Sequence, residues 1–536
     1  MSNLLVLIIA ILAFFFAYRF YASFISKVVG INDKNITPAH KKYDGLDYIP
    51  AKNWLVLFGH HFSSIAGAGP IVGPILVCIW WGWVPAILWA ILGSIFIGGV
   101  HDFLSLAISS KEEGNSIGKI SETFISKSAG IIFLIFVWFS LLLVVAVFAL
   151  VCAKTFTEEP RIILPSLGII PVALLIGILL YRFDFSLSLA TIIGLSLLAL
   201  FIFFGQNYYF SLSKNTWIVI LFIYAFFASI TPVNVLLQPR DYLSSFLLWF
   251  GLLTMSIGVI ISPQQITYPA LKSFASPKGG WLFPMMFITM ACGAISGFHS
   301  LVASGTTSKQ LLQESDAKKI GYLGMLSEGI LAILVVLCVI AGTSALKINP
   351  QKLSSGSAIK IFSQGYNFLT NNFLKGQGGF LAIVILNAFI LTTLDTATRI
   401  TRYVTQELFR IKDKIGSTFI VLFIAFLLIL SGSWEKLWQL FGASNQLLAS
   451  FTLFVISAWL LTKKKKYLFV FIPGIFMLLI SLSALILKAG GFLKEGNKNY
   501  FLFIITLILV ILGIFMFIEV IKKRKYYFEK SKNEQE

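Results

Sequence analysis

Long apolar runs separated by short polar links dominate the chain. Fifteen of them reach the roughly 20 residues that a helix needs to cross a bilayer. They are 3–25, 54–79, 83–108, 129–153, 162–181, 186–206, 216–237, 241–262, 281–303, 324–346, 378–396, 415–431, 437–461, 467–487 and 499–521. The longest links, 26–53 and 347–377, are too short for a soluble catalytic domain. The pattern predicts an all-α integral membrane protein of about 15 transmembrane helices, whose function must come from the membrane part.

One stretch departs from smooth apolarity. It begins Phe58-Gly59-His60-His61 and continues as Gly67-Ala68-Gly69-Pro70-Ile71-Val72-Gly73-Pro74, and the next run ends in Gly98-Gly99-Val100-His101-Asp102. Proline removes a backbone donor and crowds the preceding turn, and glycine adds freedom. In lipid the freed backbone groups are tolerable only against protein or a water-filled cavity. The run is therefore predicted to be a broken helix at a binding site. Five segments later, Ile230-Thr231-Pro232-Val233-Asn234 marks a second break, in the segment 216–237. The odd spacing orients the two breaks oppositely, so the spans 54–396 are expected to form a five-plus-five inverted-repeat core, with discontinuous first and sixth helices. Residues 1–53 would precede it as one helix and a cytoplasmic loop. Four further helices would follow over 397–521, and then a basic tail, 522–536.

Composition agrees. The 536 residues are 57% hydrophobic and only 12% charged, with a mean hydropathy of +0.88. Soluble domains carry about 25% charge. The net charge of +19 would point to nucleic acid in a soluble chain, but here it divides by loop. Alternate loops, from the one after the first segment to the C-terminal tail, hold 28 Lys and Arg, and the other set holds 13. The positive-inside bias puts the richer set in the cytoplasm, with the N-terminus outside and the C-terminus inside. The clusters Lys463–Lys466 and Lys522–Lys525 then face anionic lipid, and no nucleic-acid partner is expected. The N-terminal run lacks a basic n-region and a cleavage site, so it is read as an anchor. Cys78, Cys152, Cys292 and Cys338 sit in apolar runs without metal spacing and are read as core residues.

Ionisable side chains inside the spans need a partner or a purpose, because insertion of each costs about 2.5–3.5 kcal/mol. His60, His61, His101, Asp102, His299, Glu328 and Asp395 all fall toward the cytoplasmic ends of their predicted helices. They are expected to form one network, serving as an inner gate, a proton relay or both, since histidine titrates near neutral pH. Ser296-Gly297-Phe298-His299-Ser300 and Ser304-Gly305-Thr306-Thr307 surround a histidine with small hydroxyl residues that could bind substrate or sodium. The histidines lack metal-site spacing, and neighbours such as His60 and His61 point about 100° apart on a helix.

The chain resembles the carbon starvation protein A (CstA) family of bacterial inner-membrane transporters over nearly its whole length. The resemblance rests on Tyr43-Asp44-Gly45-Leu46-Asp47-Tyr48-Ile49-Pro50, on Phe58–His61 through Pro74, and on Pro239-Arg240-Asp241-Tyr242-Leu243-Ser244. Ala291–Ala294 with Ser296–His299, Leu394-Asp395-Thr396-Ala397-Thr398-Arg399 and Phe441-Gly442-Ala443-Ser444-Asn445-Gln446 continue it. It implies uptake of peptides under nutrient limitation, or of pyruvate with protons. It also implies a fold similar to amino acid–polyamine–cation (LeuT-like) transporters. An extra N-terminal helix and a long insert before 378–396, found in longer members, are missing here, and His101 stands where glutamine is expected.

The expected function is secondary active import of a small nutrient across the inner membrane by alternating access. Peptides come first and pyruvate second. Substrate contacts are assigned to His60, His61, Gly67, Gly69, Gly73, Thr231, Asn234, Ser296, His299 and Ser300. Gating or proton coupling is assigned to His101, Asp102, Glu328, Asp395 and Arg399. No metal or organic cofactor is expected, and the coupling ion is expected to be a proton before sodium. A nutrient sensor working with a partner is the rival reading. A membrane enzyme is disfavoured by the absence of a nucleophile–base motif.

Overall fold

The computed structural model describes all residues except 46, 52, 184, 233–235, 348–357, 433, 495–498 and 534–536. Apart from a two-stranded hairpin pairing Ala275–Ser276 with Gly280–Trp281, its regular structure is helical. We number the principal helices in chain order. The first half holds α1 (Asn3–Val29), α2 (Trp54–Ile65), α3 (Gly69–Trp81), α4 (Trp83–Lys111), α5 (Lys127–Glu158), α6 (Pro160–Leu180), α7 (Leu187–Gly205), α8 (Lys214–Ile230) and α9 (Leu237–Ile261). The second half holds α10 (Leu282–Thr289), α11 (Gly297–Gly305), α12 (Lys318–Ala345), α13 (Ala358–Leu374), α14 (Gly378–Phe409), α15 (Lys414–Ser431), α16 (Trp434–Thr462), α17 (Leu468–Lys494) and α18 (Tyr500–Asn533).

Among the described residues, twelve helices are long and apolar enough to cross a membrane, or thirteen if α2 and α3 are one bent span. The chain is a multi-pass membrane protein. Two of the fifteen predicted segments take other forms: 216–237 is the 17-residue α8, and 281–303 is split into α10 and α11. The link 347–377, expected to be a loop, contains α13.

Burial sorts the helices into layers. Nearly nine-tenths of the apolar window of α14 and of α16 is enclosed by protein (89% each), and α12 and α5 follow at 83% and 72%. For α7, α1 and α18 the share is 17%, 28% and 33%, so these present most of their apolar surface to lipid. Within the centre α5 lies along α14, α8 and α15 flank that pair, α9 packs on α2, and α16 packs on α11.

Two helices break where they meet. α2 and α3 differ in direction by 48° across Ala66–Ala68, where Gly67 and Pro70 weaken the helical ladder as expected. A Cβ at Gly69 would lie 2.6 Å from that of Cys292, and one at Gly73 would collide with the Met290 carbonyl. The partner segment is the connection from α10 to α11: a short 3-10 turn, Ala291–Gly293, in which Ala291 is left-handed (φ 48°), followed by extended Ser296. This corrects the expected position of the second break. Thr231-Pro232 closes α8 instead of interrupting a span, because α8 ends at Ile230 and α9 begins a separate helix at Leu237.

On the expected cytoplasmic side the 26–53 link is pinned to the core. Glu314 accepts from Asn32 N, Asn35 Nδ2 and Lys111 Nζ at 2.8–3.0 Å. Lys41 reaches Glu113 at 2.7 Å, and with Lys42 holds its carboxyl below the usual range.

α13 sits on α12 through glycine: a Cβ on Gly365 would overlap the Cys338 carbonyl. Gly365→Ala is expected to destabilise the protein by about 1–3 kcal/mol and to lower its thermal midpoint in detergent. Gly490→Ala, where a Cβ meets open space, should leave the midpoint unchanged.

Candidate functional site

The ionisable residues expected to form one network fall into two. The first joins three elements around the crossing of the broken helices. Asp102, on α4, accepts from the adjacent His101 through Oδ1 (2.6 Å) and from His299, on α11, through Oδ2 (2.7 Å). The other ring nitrogen of His299 faces Glu328 Oε2, on α12, at 3.3 Å. All four side chains are fully buried. Neither Glu328 oxygen has a hydrogen-bond partner, and His299 Nε2 lies close to Oε2 without the alignment of a hydrogen bond. His61 stands beside this group. Its Nδ1 is 2.8 Å from Thr307 Oγ1, its Nε2 is unpartnered, and Gly324 of α12 passes its ring.

A carboxylate buried without water is costly unless it is paired and hydrogen-bonded. Asp102 meets that condition twice over. Glu328 does not, and a carboxyl in that position is a place where a proton can be held and released. Cys292 Sγ, His299 and Glu328 also bring one donor atom each within 4.8 Å of one another. Three donors fall one short of a closed zinc site.

The second cluster binds α8, α9 and α14. Arg240 Nη1 donates to Asp395 Oδ2, which also accepts from the Tyr224 hydroxyl at 2.5 Å, and Arg240 Nη2 lies 3.4 Å from Asp241. His60, half-buried, is within electrostatic reach of Asp241. Arg399 Nη2 donates to the carbonyls of Ala228 (2.6 Å) and Thr231, closing the C-terminal end of α8. The Thr231 carbonyl, expected to face substrate, is therefore occupied, and Asn234 lies outside the described residues.

The other predicted positions gather at the crossing. Gly67 lets the break approach α14, since a Cβ there would lie 2.5 Å from Thr393 Oγ1, a buried hydroxyl without a partner. Ser296 accepts from Asn445 Nδ2 at 3.0 Å, while Asn445 Oδ1 accepts from Phe298 N at 2.9 Å. Asn445, from α16, thus caps the first turn of α11 in place of a local residue. Ser300 donates to the Gly297 carbonyl and pairs with Thr452. Sequence reasoning missed Tyr224 and Thr393, and it quoted Arg240, Asp241 and Asn445 within motifs without giving them a role. The Arg240-Asp241 pair at the mouth of the predicted span 241–262 is a signal of the same kind as Asp102.

Removing one member of the buried ion pair strands the other. Asp395→Asn is expected to cost about 3–5 kcal/mol, read as a drop in thermal midpoint. The double replacement Arg240→Met/Asp395→Leu should recover most of it. A midpoint for the double variant below both single variants would contradict the pairing.

The model of the carbon starvation protein CstA family matches residues 2–364 and 347–484. A protein of Campylobacter jejuni named peptide transporter CstA is 32% identical, over 93% of this chain and 82% of its own length. One of the same name from Bacillus subtilis is 31% identical, over 95% and 94%. The pyruvate/proton symporter BtsT of Escherichia coli is 30% identical, over 91% and 82%. Among solved structures, a mutant manganese transporter from Eremococcus coleocola superposes with a TM-score of 0.56 at 12% identity, covering 90% of this chain and 98% of its own. The sequence matches extend over both breaks and both buried clusters, and the chain belongs to the CstA family.

Proposed function

We propose that the chain is a secondary active transporter that imports short peptides across the inner membrane by alternating access, coupled to protons. It is not an enzyme in this reading. The observation that carries the mechanism is Glu328, fully buried and without a hydrogen bond, facing a histidine that is itself held by Asp102. With the proton on Glu328, the cluster carries one negative charge fewer and its elements can separate from their closed packing. Without it, the carboxylate faces the His299 ring directly across 3.3 Å. Substrate would enter where α2–α3 and α10–α11 break, near Gly67, Gly69, Gly73, Ser296, Ser300 and His61. The arginine cluster around Asp395 would hold α8, α9 and α14 as a gate on the cytoplasmic side, with His60 at its edge.

The inverted repeat is retained with a revised register. The first unit would be α2–α3, α4, α5, α8 and α9, with α6 and α7 inserted. The second would be α10–α11, α12, α14, α15 and α16, with α13 inserted. The reciprocal packing of α5 with α14, of α8 and α15 around them, of α9 on α2 and of α16 on α11 supports this pairing. All fifteen predicted segments would then cross the membrane, with the N-terminus outside and the basic tail inside. Pyruvate is the second reading, supported by the relative BtsT and by the buried arginines that a carboxylate would seek.

Purified protein in proteoliposomes should accumulate labelled trialanine when a proton gradient is imposed, and not with a sodium gradient alone. Asp102→Asn should lower the rate at least about tenfold, the effect of losing one charge-assisted hydrogen bond of 1.5–3 kcal/mol. His61→Gln should do the same, with the protein still in the membrane. Accumulation of pyruvate alone would move the assignment to the second reading. Normal uptake in both variants would remove the site.

A further inference from the structure

A concave site away from the helix breaks is used by nothing above. It lies between the ends of α9 and α12 and one face of α13, with a volume of about 480 Å3. Five carboxamides line it: Gln264, which follows α9, and Gln364, Asn367, Asn371 and Asn372 on α13, with Phe368 among them. Among the described residues the lining has no ionisable side chain.

The residues on α13 fall at i, i+3, i+7 and i+8, one face of a helix. The opposite face, with Ile361, Phe362, Gly365, Tyr366 and Leu369, is buried in the core. A helix that simply faced water would carry Lys and Glu on its outer stripe. This one carries Lys360 in its first turn and then four amides. The buried Gln364 Oε1 has no partner, so the pocket contains an acceptor that the fold leaves unused.

A carboxamide offers two donors and an acceptor in the plane of a peptide group. Five of them without a charge suit a neutral chain of amides. With no cation in the described lining they offer a carboxylate no counter-charge, so what they can read in a peptide is its amide bonds and not its charged ends. The volume is within the usual range for small-molecule sites, about 300–1,000 Å3. α9 and α12 end at this site, and both run outward in the proposed topology, so it opens on the outer face. α13 is locked onto α12 at Gly342 and Gly365, and α12 carries Glu328. We propose that this pocket is an outer recognition site for the peptide bonds of a short peptide, which it captures before the helix breaks receive it. This rests on the transporter reading above and adds to it the place where the peptide is first bound.

The test uses the full-length protein in lipid nanodiscs with labelled trialanine as the probe, and the same protein in proteoliposomes. Wild type is expected to bind trialanine saturably, without competition from pyruvate. Gln364→Leu/Asn371→Leu should weaken binding about tenfold, the effect of two lost hydrogen bonds. It should raise the KM for uptake by a similar factor, with the maximal rate within twofold. Asn371→Asp, which keeps the volume but removes the donors, should weaken binding in the same direction and serves if the leucine pair does not fold. If wild-type vesicles accumulate trialanine while these variants change neither affinity nor KM, the pocket inference is overturned and the transporter reading stands. If the variants lose binding while wild-type vesicles accumulate nothing, the pocket stands and the transporter reading falls. Equal displacement of trialanine by pyruvate would overturn the assignment to peptide bonds.

Discussion

Asp102 is fully buried among the helices with an imidazole on each oxygen, and a second carboxyl, Glu328, lies beyond one of those imidazoles. Buried charge in a bilayer protein is tolerated only when partners surround it. The geometry of α4, α11 and α12 is therefore constrained by the need to keep His101, His299 and Glu328 around one point. The helix breaks lie beside this cluster. The link from α10 to α11 passes against Gly69 and Gly73, where a Cβ would meet Cys292 and the Met290 carbonyl, and His299 follows in the first turn of α11.

The second cluster differs in kind. Arg240 and Tyr224 both donate to Asp395 Oδ2, while Asp395 Oδ1 and Arg240 Nε keep no hydrogen bond, and Arg399 is spent on the open end of α8. An ion pair of this sort holds helices in register. Glu328 leaves its hydrogen-bonding capacity unfilled. On that contrast rests the proposal that the first cluster, and not the second, handles the proton.

Much of this could be read from the amino-acid order. The multi-pass helical character, the first break and the presence of Asp102, His299 and Glu328 inside helices follow from apolar length, from Gly and Pro within it, and from the positions of charge in the runs. The division into two clusters could not be read, because residues far apart in the chain make it: His299 meets Asp102 across nearly two hundred positions, and Arg240 meets Asp395 across 155. The second break was misplaced for a related reason. Thr231-Pro232 carries the stronger local signal, yet it only ends a helix. The interruption at Ala291–Ser296 is built mostly of small residues with no proline, and Asn445 from another helix bonds its exit into α11. Helix α13 escaped notice because its polar face of amides made a short amphipathic helix look like a link.

The central claim is that a proton enters with substrate through Glu328. A pH-sensitive dye sealed inside proteoliposomes measures this directly. Adding substrate outside the wild-type protein should acidify the lumen. In Glu328→Gln the acidification should vanish, while exchange of labelled for unlabelled substrate, which needs no net proton movement, should continue. Acidification that persists in Glu328→Gln, or wild-type uptake without any luminal acidification, would contradict the account.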